Sequence, residues 1–128
     1  MITNFEELTK ELSEEEIDML PTIAAILQTQ HTGSANAIFS SDLVKKIRTL
    51  TEKRFTDIRL RKMTNAMRKH SILPIIATSK GYYVSWDIED IDKQIRSMRE
   101  RARSINDGAD GMEYFIRYPE KQLNFPLF

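Results

Sequence analysis

DIRLRKMTNAMRKH, residues Asp57 to His70, is the stretch whose reading decides the fold. Leu60, Met63 and Met67 recur at spacings of three and four, with Ile58 at the start, so one face of a helix is apolar. Arg59, Arg61, Lys62, Asn65, Arg68 and Lys69 are left mostly outside. Thr56 or Asp57 suits the helix cap, because a short oxygen-bearing side chain there accepts a free backbone N–H. The helix is cationic in a chain whose formal net charge is zero. Its neighbours must then show whether those cations merely solvate a face or meet a polyanion.

Upstream, residues 37–39 form a short apolar run that predicts a small strand, and Ser40-Ser41-Asp42 predicts a helix cap. Leu43, Val44, Ile47 and Leu50 then line one face of a helix over residues 42–51. Further back, Ser13 followed by Glu16 has the spacing of a capping box. The apolar stripe Ile17, Leu20, Ile23, Ala24 and Leu27 carries that helix to about Gln30. Pro21 either kinks this helix or sits in the first turn of a second one. Phe5, Leu8 and Leu12 predict a separate N-terminal amphipathic helix over residues 1–12.

Downstream, residues 72–78 and 82–86 are both β-type and flank the turn Ser79-Lys80-Gly81, which predicts a hairpin. Asp87 opens a long helix. Its apolar positions Ile88, Ile91, Ile95, Met98, Ala102, Ile105, Ala109 and Met112 alternate in threes and fours, a heptad seam. Gly108 and Gly111 disfavour its last turns, so the expected helix is 87–106 and the expected tail 107–128.

The order is helix, short strand, helix, turn, basic helix, hairpin, long helix. It predicts an α+β, mainly helical domain over residues 13–106. The fold expected is a winged helix-turn-helix with a β-hairpin wing and a long C-terminal helix. In such a fold the second helix of the pair enters the major groove. The charge distribution agrees. Residues 41–85 hold eleven Lys and Arg against Asp42, Glu52 and Asp57, whereas residues 1–40 hold seven acids against Lys10. A basic patch on a neutral molecule attracts a polyanion. Arg pairs bidentately with guanine and Asn with adenine, so Arg59, Lys62 and Asn65, three apart, are expected on base edges, with Thr56 nearby. Lys45, Lys46, Arg61, Arg68 and Lys69 are expected on phosphates, and Lys80 at the hairpin turn on a phosphate or the minor groove.

The run LRKMTNAMRKHSILPIIATSKGYYVSWDIEDIDKQIRSMRERARSI resembles helix-turn-helix proteins of bacteriophages and other mobile elements. The shared features are Leu60-Arg61, the strand Ile75 to Ser79, Gly81-Tyr82, and the helix from Ile95 to Ile105. The resemblance spans about residues 37–106 and implies a DNA-binding protein. The heptad helix has two readings: it closes its own domain, or it pairs with a second copy through Ile88, Ile91, Ile95, Met98, Ala102 and Ile105. Arg96, Arg99, Arg101 and Arg103 crowd its flanks and would repel in a parallel pair.

The last residues, KQLNFPLF, are apolar where chain ends are usually polar. QLNFPLF resembles the peptide by which bacterial replication and repair proteins dock on the β sliding clamp. Gln122 matches the glutamine, Leu123 the aliphatic position, Asn124 the small polar position and Leu127-Phe128 the terminal pair. Phe125 stands where leucine is commoner, and Pro126 is the spacer. The resemblance implies that Gln122, Leu123, Phe125, Leu127 and Phe128 bind the clamp. The alternative is that these rings fold back onto the domain. The eukaryotic clamp motif ends on two aromatics, which this chain lacks.

Several classes are disfavoured. There are no cysteines, which excludes disulfides, thiolate metal sites and a cysteine nucleophile. His31 and His70 are the only histidines and lack a metal-ligand spacing. No phosphate loop or nucleophile motif occurs. Asp87, Glu89, Asp90 and Asp92 suit a helix N-terminus better than a metal site. The expectation is a non-enzymatic protein without cofactor or metal. No apolar run reaches membrane-spanning length, and the acidic start lacks the form of a signal peptide, so a cytoplasmic location in a bacterium or phage-infected cell is expected. DNA replication or its control is the role expected. A transcription regulator, or an adaptor whose basic face meets an acidic protein, are the alternatives.

Overall fold

The computed structural model describes residues 10–120. These residues are mainly helical, with one small two-stranded antiparallel sheet. The first helix, α1 (Glu14–Gln30), opens on the expected capping box. Glu16 N–H donates to Ser13 Oγ at 3.2 Å, and Ser13 N–H donates to Glu16 Oε1 at 2.9 Å. Pro21 lies inside this one helix and does not start a second. A proline there removes the N–H that would bond the preceding turn. The burial of Leu20, Ile23 and Leu27 on the same helix outweighs that loss. Of the N-terminal helix expected over residues 1–12, only Lys10 and Glu11 are described as helical, and residues 1–9 lie outside the described residues.

A loop with a single 3-10 turn (Ser34–Asn36) leads to α2 (Ser40–Thr51). The short strand expected at 37–39 is reduced to one antiparallel bridge, Ile38 to Tyr82. Phe39, not Ser40 to Asp42, is the N-cap residue, and its side chain makes no cap bond. The extended backbone of Ile38 runs directly into the helix, so α2 begins earlier than the polar residues suggest.

Phe55 fills the turn before α3 (Asp57–Lys69) and is fully buried. Thr56 caps α3 as expected, its Oγ1 accepting from Arg59 N–H at 3.2 Å. The helix ends in a Schellman arrangement. Ile72 N–H reaches Met67 O at 2.8 Å, and Ser71, at φ 57°, donates to Arg68 O at 3.1 Å.

The hairpin pairs β1 (Ile75–Thr78) with β2 (Gly81–Val84), in register Ile75 to Val84 and Thr78 to Gly81. It is shorter than the β-type runs because the chain at Ile72 and Leu73 is still closing α3. Gly81 is required at φ 113°, where a Cβ would stand 2.1 Å from the Ile38 carbonyl oxygen. The Ile38 strand and β2 could not approach otherwise. One core joins these parts: Ile23 and Leu27 of α1, Leu43 and Ile47 of α2, Leu60, Met63 and Met67 of α3, with Ile75 and Val84 from the sheet.

The chain divides into two units after Ile91, and the helix α4 (Ile88–Arg117) begins in the first and makes up most of the second. It extends eleven residues past the expected end at Asn106 and includes Gly108 and Gly111. Each glycine costs about 1 kcal/mol relative to alanine. The last turns offset part of this with a Glu113–Arg117 pair at 3.6 Å and the contact of the Tyr114 and Tyr118 rings, tilted by 42° with centroids 4.9 Å apart. Among the described residues no helix is long and apolar enough to cross a membrane.

Candidate nucleic-acid interface

The cations expected on DNA divide into three sets. The first set faces α1. Arg59 donates through Nη2 to Glu15 Oε1 at 3.0 Å and through Nε to Glu16 Oε2 at 3.2 Å. It also donates to the Arg54 carbonyl and lies over the Phe55 ring, 5.7 Å from its centroid. Lys62 Nζ donates to Glu16 Oε1 at 2.9 Å, and Lys69 pairs with Glu11. Lys53 stands 3.7 Å from Glu15. Four cations of the basic segment are therefore engaged by three acids from the acidic start of the chain.

Glu16 is the hub. Its side chain is only 4% exposed. Burial pushes its carboxyl up, but the Ser13 N–H, Lys62 and Arg59 outweigh burial and hold it down at about 2. The Arg59 hydrogen bond likewise lowers Glu15, and the Lys69 hydrogen bond lowers Glu11. For Arg59, burial acts downward, and its bonds to Glu15 and Glu16 more than reverse it. His70 closes the row, its Nε2 3.3 Å from Glu11 Oε2.

The second set braces the fold. Arg68 Nε donates to Ile75 O at 2.9 Å, tying α3 to β1. Lys46 Nζ donates to Gln30 Oε1 at 2.7 Å and to His31 Nε2 at 3.1 Å, while His31 Nδ1 meets Asn36 O at 2.7 Å. These bonds fix the loop after α1. The Thr56 hydroxyl oxygen is occupied as the α3 cap.

The third set is outward. Arg61 is 67% exposed at its side chain and forms one helical pair, with Asp57 Oδ2 at 2.9 Å. Asn65, Lys45 and Lys80 are exposed. Arg61 lines a groove between the start of α3 and the hairpin, together with Phe39, Ser40, Asp57, Thr78, Ser79, Gly81 and Tyr82. Lys80 sits in the turn between Ser79 and Gly81 of that rim, where its N–H donates to Thr78 Oγ1 at 3.1 Å. The first turn of α2, at Ser40, adds backbone N–H groups that point out of a helix N-terminus.

The expected stripe Arg59, Lys62, Asn65 is thus not one exposed stripe. Arg59 is held against α1, Lys62 and Lys69 are exposed but paired with acids, and Arg61 and Asn65 point outward clear of the acidic start. Ser40, Thr78, Ser79 and Tyr82 were read from the sequence as parts of caps, strands or turns and not as interface residues. Their signal was positional: each adjoins a predicted helix start or the Gly81 turn. The expected clamp-binding residues Gln122, Leu123, Phe125, Leu127 and Phe128 lie outside the described residues. No group of three or more His, Asp or Glu suited to a metal ion occurs among the described residues.

Compared with known protein families, with curated proteins and with solved structures, the chain shows no match.

Proposed function

We propose that this chain is a winged helix DNA-binding protein of a phage or mobile element, acting in DNA replication or its control. The observation that carries the reading is the groove that Arg61 shares with the hairpin turn and the first turn of α2. In the proposed complex α3 enters the major groove, with Arg61 and Asn65 toward base edges. The hairpin is the wing, and Lys80 reaches a flanking phosphate or the minor groove. Lys45 and the outward ends of Lys62 and Lys69 meet phosphates, since both lysines remain about half or more exposed although paired. Arg59 has a structural part, orienting α3 on α1. No cofactor or metal takes part.

The tail supplies the second half of the proposal. Gln122, Leu123, Phe125, Leu127 and Phe128 dock on the host's β sliding clamp, which places the DNA-binding domain at a site of replication. An apolar peptide of this order gains affinity by placing Leu and Phe in a cleft while Gln bonds at its rim. The support is the order of the residues. A pull-down on purified bacterial clamp tests it: the intact chain binds, and the chain lacking residues 122–128 does not. Equal capture of both, or of neither, removes the clamp from the proposal.

One observation favours a second reading. Lys53, Arg59, Lys62 and Lys69 already have acidic partners within the chain, so the basic surface is smaller than the sequence count. A protein adaptor without DNA binding fits that neutralisation. Duplex titrations at low and moderate salt separate the two, because a phosphate-bound complex weakens steeply with salt.

A further inference from the structure

From residue 95 to residue 120 every described residue is exposed. The seam of α4 is nevertheless apolar and regular. Ile105 is 72%, Met112 67% and Ile116 82% exposed, with Met98 at 36%. Ala102 and Ala109 fall between them at the same three-and-four spacing. Nineteen residues of heptad pattern facing solvent call for a covering surface, and the order of side chains along the seam specifies one.

We propose that α4 pairs with the α4 of a second copy in antiparallel orientation, the seam from Met98 to Ile116 lying against itself. In this register Met98 faces Ile116 of the other copy, Ala102 faces Met112, and Ile105 faces Ala109. Every alanine meets a large side chain, so the layers fill evenly. A parallel pair would instead stack Ala102 on Ala102 and Ala109 on Ala109, leaving two thin layers. The flanks select the same orientation. An antiparallel pair brings flanking positions of like heptad letter together, which sets Arg99 against Glu113 of the second copy, twice by symmetry. It also sets Arg101 against the Phe115 ring, a cation over an aromatic face. In a parallel pair Arg101 would meet Asn106, and Glu113 would meet Gly108, with no attraction. The occupant is therefore a second copy of this chain. The proposal rests on α4 alone and stands or falls apart from DNA binding.

The pairing residues expected from the heptads ran from Ile88 to Ile105. Ile88 is exposed as well, but Ile91 is half-buried and Gln94 buried, so the unbroken exposed stretch lies further along. A pairing of under six helical turns is small, so a dissociation constant on the order of micromolar is expected.

Sedimentation equilibrium of the full chain at several concentrations reads the association. A dimer that dissociates in the micromolar range is expected, and a monomer at the highest concentrations overturns the proposal. Arg99→Glu should weaken the dimer by about tenfold, and Arg99→Glu with Glu113→Arg should restore it. If Arg99→Glu has no effect, or the double variant is as weak as the single, the antiparallel register is wrong. Orientation is read by disulfide exchange, since the native chain has no cysteine. Met98→Cys and Ile116→Cys proteins, mixed in a glutathione buffer, should form the mixed disulfide. Each alone forming its own disulfide instead would show a parallel pair and overturn the proposal.

Discussion

Arg59 Nε donates to Glu16 Oε2 at 3.2 Å across 43 residues of chain. This bond joins the acidic start of the molecule to its most basic helix. With its neighbours it neutralises four of the eleven cations of that segment from within the chain. Glu16 does three things at once: it completes the capping box of α1, accepts from Arg59 and accepts from Lys62. Its removal should therefore weaken the contact between α1 and α3 as well as uncap α1.

Glu16→Ala should destabilise the protein by about 2–4 kcal/mol, because it opens the cap and takes from the half-buried Arg59 guanidinium one of its two carboxylates. Glu16→Gln retains the cap bond to Ser13 and should lose about half as much. Chemical denaturation of the three proteins measures the order. Equal losses for Gln and Ala would assign the whole effect to charge.

Acid should unfold the domain through the same residue. The Glu16 carboxyl titrates near 4.5 when free and at about 2 in the fold, so the unfolded chain binds the proton more readily. Its contribution is complete above about pH 4.5 and is lost as pH falls through about 2. Glu11 and Glu15, lowered by Lys69 and Arg59, act in the same direction. Denaturation midpoints should fall steadily between pH 5 and 2. In Glu16→Gln that decline should be visibly shallower.

Two backbone positions should respond oppositely to glycine and alanine. Ser71 closes α3 at φ 57°, a conformation that costs a side-chain-bearing residue about 1 kcal/mol, so Ser71→Gly should raise stability by roughly that amount. Gly81→Ala should lower stability by several times as much, about 3 kcal/mol or more, since the new Cβ meets the Ile38 carbonyl. Thermal melts show both, and amide exchange at Ile38 and Tyr82 should quicken in Gly81→Ala only.

The helical elements and the hairpin were legible because each has its own period and its own cap: Ser13 with Glu16, Thr56, and the turn at Gly81. Three things were not. Pro21 left one helix or two open, and Gly108 within α4 breaks a local rule that neighbouring side chains override. Phe39 begins α2 without a cap bond because the Ile38–Tyr82 bridge sets its backbone. The facing of Arg59 was the most consequential. Helical spacing places it near Lys62 and Asn65, but its partners Glu16 and Glu15 lie 43 and 44 residues away, beyond any local pattern. The one hint was arithmetic: a strongly acidic segment precedes a strongly basic one, and opposite charges in one small domain tend to meet.

Arg61 and Arg59 therefore make opposite predictions although two residues apart. Arg61→Ala should weaken DNA binding by about 1–3 kcal/mol and leave stability within about 0.5 kcal/mol, since it leaves only an exposed helical pair. Arg59→Ala should mainly destabilise the fold. Binding and denaturation curves for each variant give all four values.

The most direct measurement is fluorescence anisotropy of the full chain on labelled duplex DNA from about 50 to 200 mM salt, repeated with Arg61→Ala and Lys80→Ala. The account predicts binding at low salt that falls steeply as salt rises. It also predicts a log–log slope shallower by about one in each variant whose cation meets a phosphate. Absence of binding to duplex or single strand at 50 mM salt, or binding that neither substitution alters, would contradict it.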